Sequence, residues 1–312
     1  MTTTEPEIIQ TTPAGIAAAL GATVVWGIGN VVIADVPLGG LSLAFHRLWI
    51  AAVIYVVALY ATGGRLTLDS FRYGWAGSVA FSLDIAAFFL AVKHTTLADA
   101  TTINALQPVV ILLFAGALFG ERARPRHIVC TAVAIGGVAA VVAGSRSSGS
   151  FSVFGEVMAV LSLFAWAGYF IASKRARQHL GTLEYMTVIF IGGVPVLAVI
   201  SLLSGQLTGS EGRLSWTAIA WVLVVIALPG SGHILINWAH NHTTITLCSL
   251  LTLLMPVIST AGAAIWLDQP VHAIQVVGIG IVLLALALVI VGDAREGSTA
   301  IEVELVEEGP HG

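Results

Sequence analysis

Apolar positions run through this chain in blocks, not in alternation. Ten mostly apolar stretches can be marked, at about 13–34, 41–62, 72–92, 97–119, 126–144, 152–172, 184–204, 215–240, 245–267 and 272–292. Each is near the ~20 residues that a helix needs to cross a bilayer. The polar positions between them collect in short, turn-like connections: Pro37-Leu38-Gly39-Gly40, Gly63-Gly64, and Ser145 to Ser150. No connection is long enough for a domain outside the membrane. Helices and closed barrels alone satisfy every backbone group in lipid, and the alternating pattern of a barrel is absent. The pattern predicts an all-α integral membrane protein with ten transmembrane helices.

Composition agrees. Of 312 residues, 57% are hydrophobic and 10% charged, and the mean hydropathy is +0.94. A soluble domain carries about 25% charged residues, so the lipid bilayer is the expected partner of this surface. The net charge of −4 comes mostly from acidic residues in two tails and gives no sign of nucleic-acid binding. Cys130 and Cys248 both fall in apolar runs, so neither a disulfide nor a Cys-x-x-Cys metal site is expected. The start, MTTTEPEIIQTTP, has no basic n-region of a signal peptide.

With a cytoplasmic N-terminus, the inner loops hold Arg65, Arg72, Arg122, Arg124, Arg126, Lys174, Arg175, Arg177 and Arg295, and the outer ones Lys93, Arg146 and Arg213. Arg47 lies within the second span. Nine against three predicts both termini inside. The expected location is a bacterial inner (cytoplasmic) membrane, and a monomer is expected.

Lys93 to Val110 reads KHTTLADATTINALQPVV, and Asn241 to Ile258 reads NHTTITLCSLLTLLMPVI, 148 residues later. The offset carries Pro108 onto Pro256, Gly116 onto Ala264, Glu121 onto Gln269 and Gly144 onto Gly292. Trp26-Gly-Ile-Gly in span one is echoed by Trp166-Ala-Gly-Tyr in span six. Two copies of a five-helix unit follow, and an odd number of passes turns the second copy upside down. The predicted units are a tail at 1–12, a first repeat at 13–144, a linker at 145–151, a second repeat at 152–292 and an acidic, disordered tail at 293–312. Inverted repeats place a solute site near mid-membrane, where the copies meet.

These features resemble the drug/metabolite transporter superfamily: two five-helix halves, a Trp-Gly motif in span one, and prolines in spans four and nine followed by Gly120-Glu121 or Asp268-Gln269. The chain is similar to the EamA-type ten-helix branch and, within it, to YddG-type exporters of aromatic amino acids. The resemblance covers about 13–292. It implies export of small metabolites through a cavity walled by spans one, three, four, six, eight and nine, with spans five and ten as scaffold. Span one has no carboxylate in its body, where the small multidrug exporters of this superfamily depend on a glutamate. The resemblance therefore does not extend to their proton exchange.

Polar residues inside the spans are the candidate site. Thr101, Asn104 and Pro108 stand at i, i+3 and i+7, and Ser249, Thr252 and Pro256 at the matching places in span nine. Such stripes either bind a solute or make ordinary interhelical bonds, worth ~0.6 kcal/mol each on average. Gln107 lies one position off the stripe. Pro108 and Pro256 remove an N–H and disturb the carbonyl one turn back, near Asn104 and Thr252, so each is a candidate hinge or a fixed kink. Asp84 sits mid-span, with Phe81 and Phe88 on its face. An intramembrane carboxylate is a functional candidate by default, for a substrate ammonium or a proton; the alternative is a carboxylate paired with a histidine or water.

Span eight carries Pro229-Gly230-Ser231-Gly232-His233, then Asn237 and His240. The run predicts a weakened helix with Gly230 and Gly232 as hinge positions. His233 and Asn237 are candidate ligands, and His240 and His242 are expected at the interface. Trp26, Asn30, Trp166 and Tyr169 lie deep in spans one and six, where rings either stack on a planar solute or cation or fill space. Gly136, Ala140 and Gly144 predict a tight packing face on span five.

The predicted activity is secondary export of small organic solutes, aromatic amino acids or related metabolites, by alternating access. No ATP-binding G-x-x-x-x-G-K-[ST] loop occurs, so the energy must come from a gradient or from the solute's own concentration difference. The alternatives are an intramembrane hydrolase, for which Ser231 near His233 is the only tempting pair, and a metal-ion carrier using His94, His233, His240 and His242. No G-x-S-x-G or His-Glu-x-x-His motif is present. No catalytic residue, cofactor or resident metal is expected.

Overall fold

The computed structural model describes residues 11–95, 97–121, 124–145, 152–207, 214–266 and 272–307. Arg122, Arg146 and Arg213 of the charge pattern, and Gln269 of the repeat, lie outside these. All regular elements among the described residues are helical. They are α1 (Pro13–Asp35), α2 (Gly40–Ala61), α3 (Leu68–His94), α4 (Leu97–Asn104), α5 (Gln107–Phe119), α6 (Pro125–Ser145), α7 (Val153–Ala176), α8 (Thr182–Leu203), α9 (Trp216–Ala239), α10 (Ile245–Leu251), a 3₁₀ turn (Thr252–Leu254), α11 (Met255–Trp266) and α12 (Ala273–Glu307).

Eight segments among the described residues are long and apolar enough to cross a membrane, and Gln107–Phe119 and Pro125–Ala140 are shorter apolar helices. Ten passes fit this set. Large apolar side chains stand exposed on the outside of the helices, including Leu113, Phe164, Val276 and Leu284. Such an apolar surface needs lipid to cover it.

The ends of the helices follow local chemistry. Thr12, Ser152, Ser215 and Thr244 each accept a backbone N–H three residues on, in α1, α7, α9 and α10, as good N-caps do. Thr67 and Ser70 form a reciprocal capping box on α3. Gly120 closes α5 at φ 68°, a conformation that favours glycine.

Spans four and nine are each broken where the repeated proline predicts a disturbance. α4 ends at Asn104 and α5 begins at Gln107; α10 ends at Leu251 and α11 begins at Met255. The carbonyl of Thr252, one turn before Pro256, accepts from Met255 N–H, so the backbone itself meets part of the demand. Thr252 Oγ1 donates to Ser249 O at 2.6 Å, a back-bond of the kind that bends helices.

The predicted weak point in span eight takes another form. α9 runs unbroken through Pro229-Gly-Ser-Gly. A Cβ at Gly232 would stand 2.6 Å from Trp26 Nε1, and one at Gly29 would stand 2.8 Å from Pro229 Cβ. These glycines let α1 and α9 approach closely, and Trp26 Nε1 donates to Pro229 O at 3.0 Å across the seam. The last helix also differs from expectation: α12 continues as helix to Glu307, through the segment expected to be a disordered tail.

α3 packs along α7, α1 along α9, α2 and α3 against α8, and α1 against α11, while α6 pairs chiefly with α12. The tight face of α6 is at Gly137, where a Cβ would stand 2.9 Å from Gly278 O of α12; at Gly136 it would meet nothing within 4 Å.

Candidate functional site

α1, α2, α3, α4, α7, α9 and α11 line a narrow crevice with a cavity volume of about 50 Å³. Its polar lining is Asn30, Arg47, Asp84, Asn104 and His233, and rings of Trp26, Phe88, Phe89 and Trp166 form much of the rest. α6 and α12 contribute no lining residue among those described. A second, larger hollow of about 570 Å³ lies by Arg72, Tyr73, Arg175 and His179. It sits near helix ends and away from the polar residues of the spans.

The crevice is built around one hydrogen-bonded junction. Ser162 Oγ donates to Asp84 Oδ1 at 2.7 Å and accepts from Asn104 Nδ2 at 3.2 Å. α3, α4 and α7 thus meet at a carboxylate that is 6% exposed. Arg47, 1% exposed, lies under the same crevice. Its guanidinium carbon is 5.7 Å from the Phe89 ring centre, and its Nη2 has no hydrogen-bond partner. Asn30 Nδ2 and His233 Nδ1 are likewise buried without one. His233 is ringed by Phe81 at 4.8 Å, Trp26 at 5.0 Å and Tyr169 at 5.7 Å between centroids. Trp166 meets Trp26 edge-on at 6.0 Å.

Seven of the predicted binding residues therefore line one space: Trp26, Asn30, Asp84, Phe88, Asn104, Trp166 and His233. Phe81, Tyr169 and Asn237 form a buried layer beside it; Asn237 Nδ2 donates to Tyr169 Oη at 2.6 Å and to His233 O at 2.7 Å. The hydroxyl stripes lie elsewhere. Thr101 donates to Leu97 O at 2.8 Å, Ser249 to Thr246 O at 2.8 Å and Thr252 to Ser249 O, so each is satisfied within its own helix. Gln107, at the break, is fully buried with neither amide atom partnered. Sequence reasoning passed over Arg47 as a site residue, together with Ser162 and Met255. An arginine within a span was a signal as strong as Asp84.

The lining residues come from mid-depth and from the ends of α1 and α3 and the start of α2. The opposite end, where α1 starts, is laced shut. Lys174 Nζ donates to His240 O at 2.5 Å and Thr243 O at 2.6 Å. Arg177 Nε donates to Asn237 O at 2.9 Å, and its guanidinium also reaches Leu180 O. Glu121 accepts from Ile245 N at 2.8 Å and from Thr246 N and Oγ1 at 3.1 and 2.8 Å, a carboxylate placed on the positive end of α10. Thr12 N donates to His242 O at 2.9 Å. His240, expected at the interface, is fully buried beneath this network. Burial, with the Lys174 and Arg177 charges beside it, holds its pKa well below the ordinary histidine value. Burial likewise lowers Arg177, with Tyr185 and Glu184 opposing. At the crevice end, Lys93 Nζ reaches Ala34 O at 3.1 Å and Val36 O at 2.7 Å, and Thr95 donates to Glu156 at 2.8 Å.

The sequence matches the EamA-like transporter family over residues 13–143 and again over 153–291. The chain belongs to that family. It is a multi-pass membrane transporter, and the hydrolase alternative falls away. The chain is 23% identical over 287 residues to the pseudopaline exporter CntI of Pseudomonas aeruginosa, covering 90% of this chain and 98% of that one. It is 25% identical over 288 residues to a probable amino-acid metabolite efflux pump of Escherichia coli, covering 88% and 94%. A crystal structure with 20% sequence identity superposes with a TM-score of 0.74 over 91% of this chain and 99% of that one, which shows the fold. Among the described residues no three His, Cys, Asp or Glu side chains are grouped to hold a metal ion.

Proposed function

We propose that this family member is a secondary exporter of small organic metabolites, aromatic amino acids among them, in a bacterial inner membrane with both termini cytoplasmic. Two inverted five-helix copies alternate access to the crevice. The observation that carries this reading is the crevice itself: a mid-depth space walled by aromatic rings and holding buried polar atoms that no protein group satisfies. Unmet polar atoms in a buried interior call for a partner, and in a transporter the solute can supply it. The two relatives named as exporters support the direction of transport.

The helix pairings support the inverted copies. A two-fold exchange that maps α1 to α7 and α3 to α9 turns the α1–α9 pair into the α7–α3 pair, and both pairs are present. It also turns α4–α7 into α10–α1, and α2–α8 and α6–α12 into themselves. The matched breaks before Pro108 and Pro256 fit half-helices that bend as one end opens and the other closes, and Pro108, Pro256, Gly230 and Gly232 are the hinge positions of this reading.

Purified protein in liposomes loaded with labelled phenylalanine, tryptophan or leucine is the test. Efflux of unaltered solute faster than from empty liposomes, with exchange against unlabelled solute outside, is the expected result. Rates equal to empty liposomes across the set would refute amino-acid export.

A further inference from the structure

We infer that the crevice is a two-point zwitterion site, in which Arg47 receives the carboxylate of the substrate and Asp84 its ammonium. The inference rests on the exporter reading above and names what that site recognises.

Two opposite charges, from α2 and α3, line one crevice and are 1% and 6% exposed. Each is expensive at this depth unless compensated. Asp84 takes its hydrogen bond from Ser162, and Arg47 Nη2 donates to no one. The guanidinium thus keeps donor capacity aimed at no protein acceptor. Phe89 covers its face, and the edge that remains is the one that grips a carboxylate through two parallel N–H groups. Asn30 Nδ2, also buried and unpartnered on the same lining, adds a neutral donor.

On the other side, Ser162 and Asn104 orient Asp84 as an acceptor for a compact cation. Arg47 and Asp84 together are neutral, so a solute carrying one charge of each sign leaves the crevice neutral. A solute with a single charge adds a buried charge that nothing balances. Trp26 and Trp166 meet edge to face beside these two charges, and they offer ring surface to an apolar side chain on the same solute.

The test is a set of three ligands differing by one charge: phenylalanine, phenylalaninamide, which lacks the carboxylate, and 3-phenylpropanoate, which lacks the ammonium. Binding to the detergent-solubilised wild-type protein is read by calorimetry. Phenylalanine is expected to bind at least about tenfold more tightly than either analogue, as a missing partner for a buried charge demands. Arg47→Gln is expected to weaken phenylalanine about tenfold more than phenylalaninamide, and Asp84→Asn to weaken it about tenfold more than 3-phenylpropanoate.

Equal wild-type affinity for all three ligands, or no binding of any, would overturn the inference, and this comparison holds even if a variant fails to fold. Equal loss of all ligands in a well-folded Arg47→Gln variant would overturn it too. Preferential binding of phenylalanine without efflux from liposomes would instead remove the exporter reading and leave the site standing.

Discussion

Trp26 does two things at once. Its ring lies 5.0 Å from His233 and 6.0 Å from Trp166, on the crevice wall. Its indole N–H is bonded to Pro229 O at 3.0 Å, which fixes the ring to α9. Gly232 makes room for it. In Gly232→Ala the new Cβ would press on Trp26 Nε1, and overpacking of a fitted interior costs about 1–3 kcal/mol. The expected outcome is a lower melting temperature in detergent and reduced export, because the indole that must shift also lines the crevice. A melting curve unchanged from wild type would show that the α1–α9 seam has slack. Asp84 was legible at this scale because a carboxylate in an apolar run is an anomaly. Ser162 was not: one hydroxyl in an apolar helix is unremarkable, and its partners lie 78 and 58 residues away.

Among the elements, α4–α5 and α10–α11 behave alike and α9 does not. In the first two, a proline meets side chains that bond back to their own helix, and the ladder breaks just before it. Pro256→Ala restores an N–H that can bond one turn back, which straightens the segment. The expected outcome is slower exchange between the two open forms, with substrate affinity changed less than the rate. Stopped-flow fluorescence of tryptophan would resolve the two, and a normal rate with lost affinity would count against the hinge.

In α9 the Pro-Gly-Ser-Gly run predicted a break that the packing overrides. An interior glycine costs a helix about 1 kcal/mol and a proline about 3 kcal/mol, and α9 runs as helix through both where it packs on α1. The same limit explains the tight face of α6. Small residues at 136, 140 and 144 mark a face by spacing, but the approach to α12 occurs at Gly137. Spacing gives a face only to within a residue of rotation.

The whole molecule is closed at the end where α1 begins and has its crevice toward the other end. Lys174, Arg177 and Glu121 do the closing by meeting backbone groups at the ends of α9 and α10. The proposed inversion of the two halves can be tested here. The second helix of each half ends in the same way, with Gly63 at φ 79° and Gly205 at φ 75° just after Thr62 and Ser204. Single cysteines at Thr62 and Ser204, in a background lacking Cys130 and Cys248, are expected to react with an impermeant maleimide from opposite faces of the membrane. Labelling of both from one face would remove the inverted arrangement and the alternating mechanism with it.

Hydrophobic spacing determined the membrane class and ten apolar stretches that fit the helices, and the two prolines marked the breaks in spans four and nine, because bilayer thickness and backbone hydrogen bonding constrain each pass locally. It also singled out Asp84, since a charge in lipid is costly wherever it stands. Only the tertiary structure decided which polar groups share a space. It brought Arg47 from α2 to the crevice that Asp84 lines, turned Thr101, Ser249 and Thr252 back onto their own helices, and kept α9 continuous against Trp26. Those outcomes depend on contacts between residues far apart in the chain, whose energies no local pattern contains.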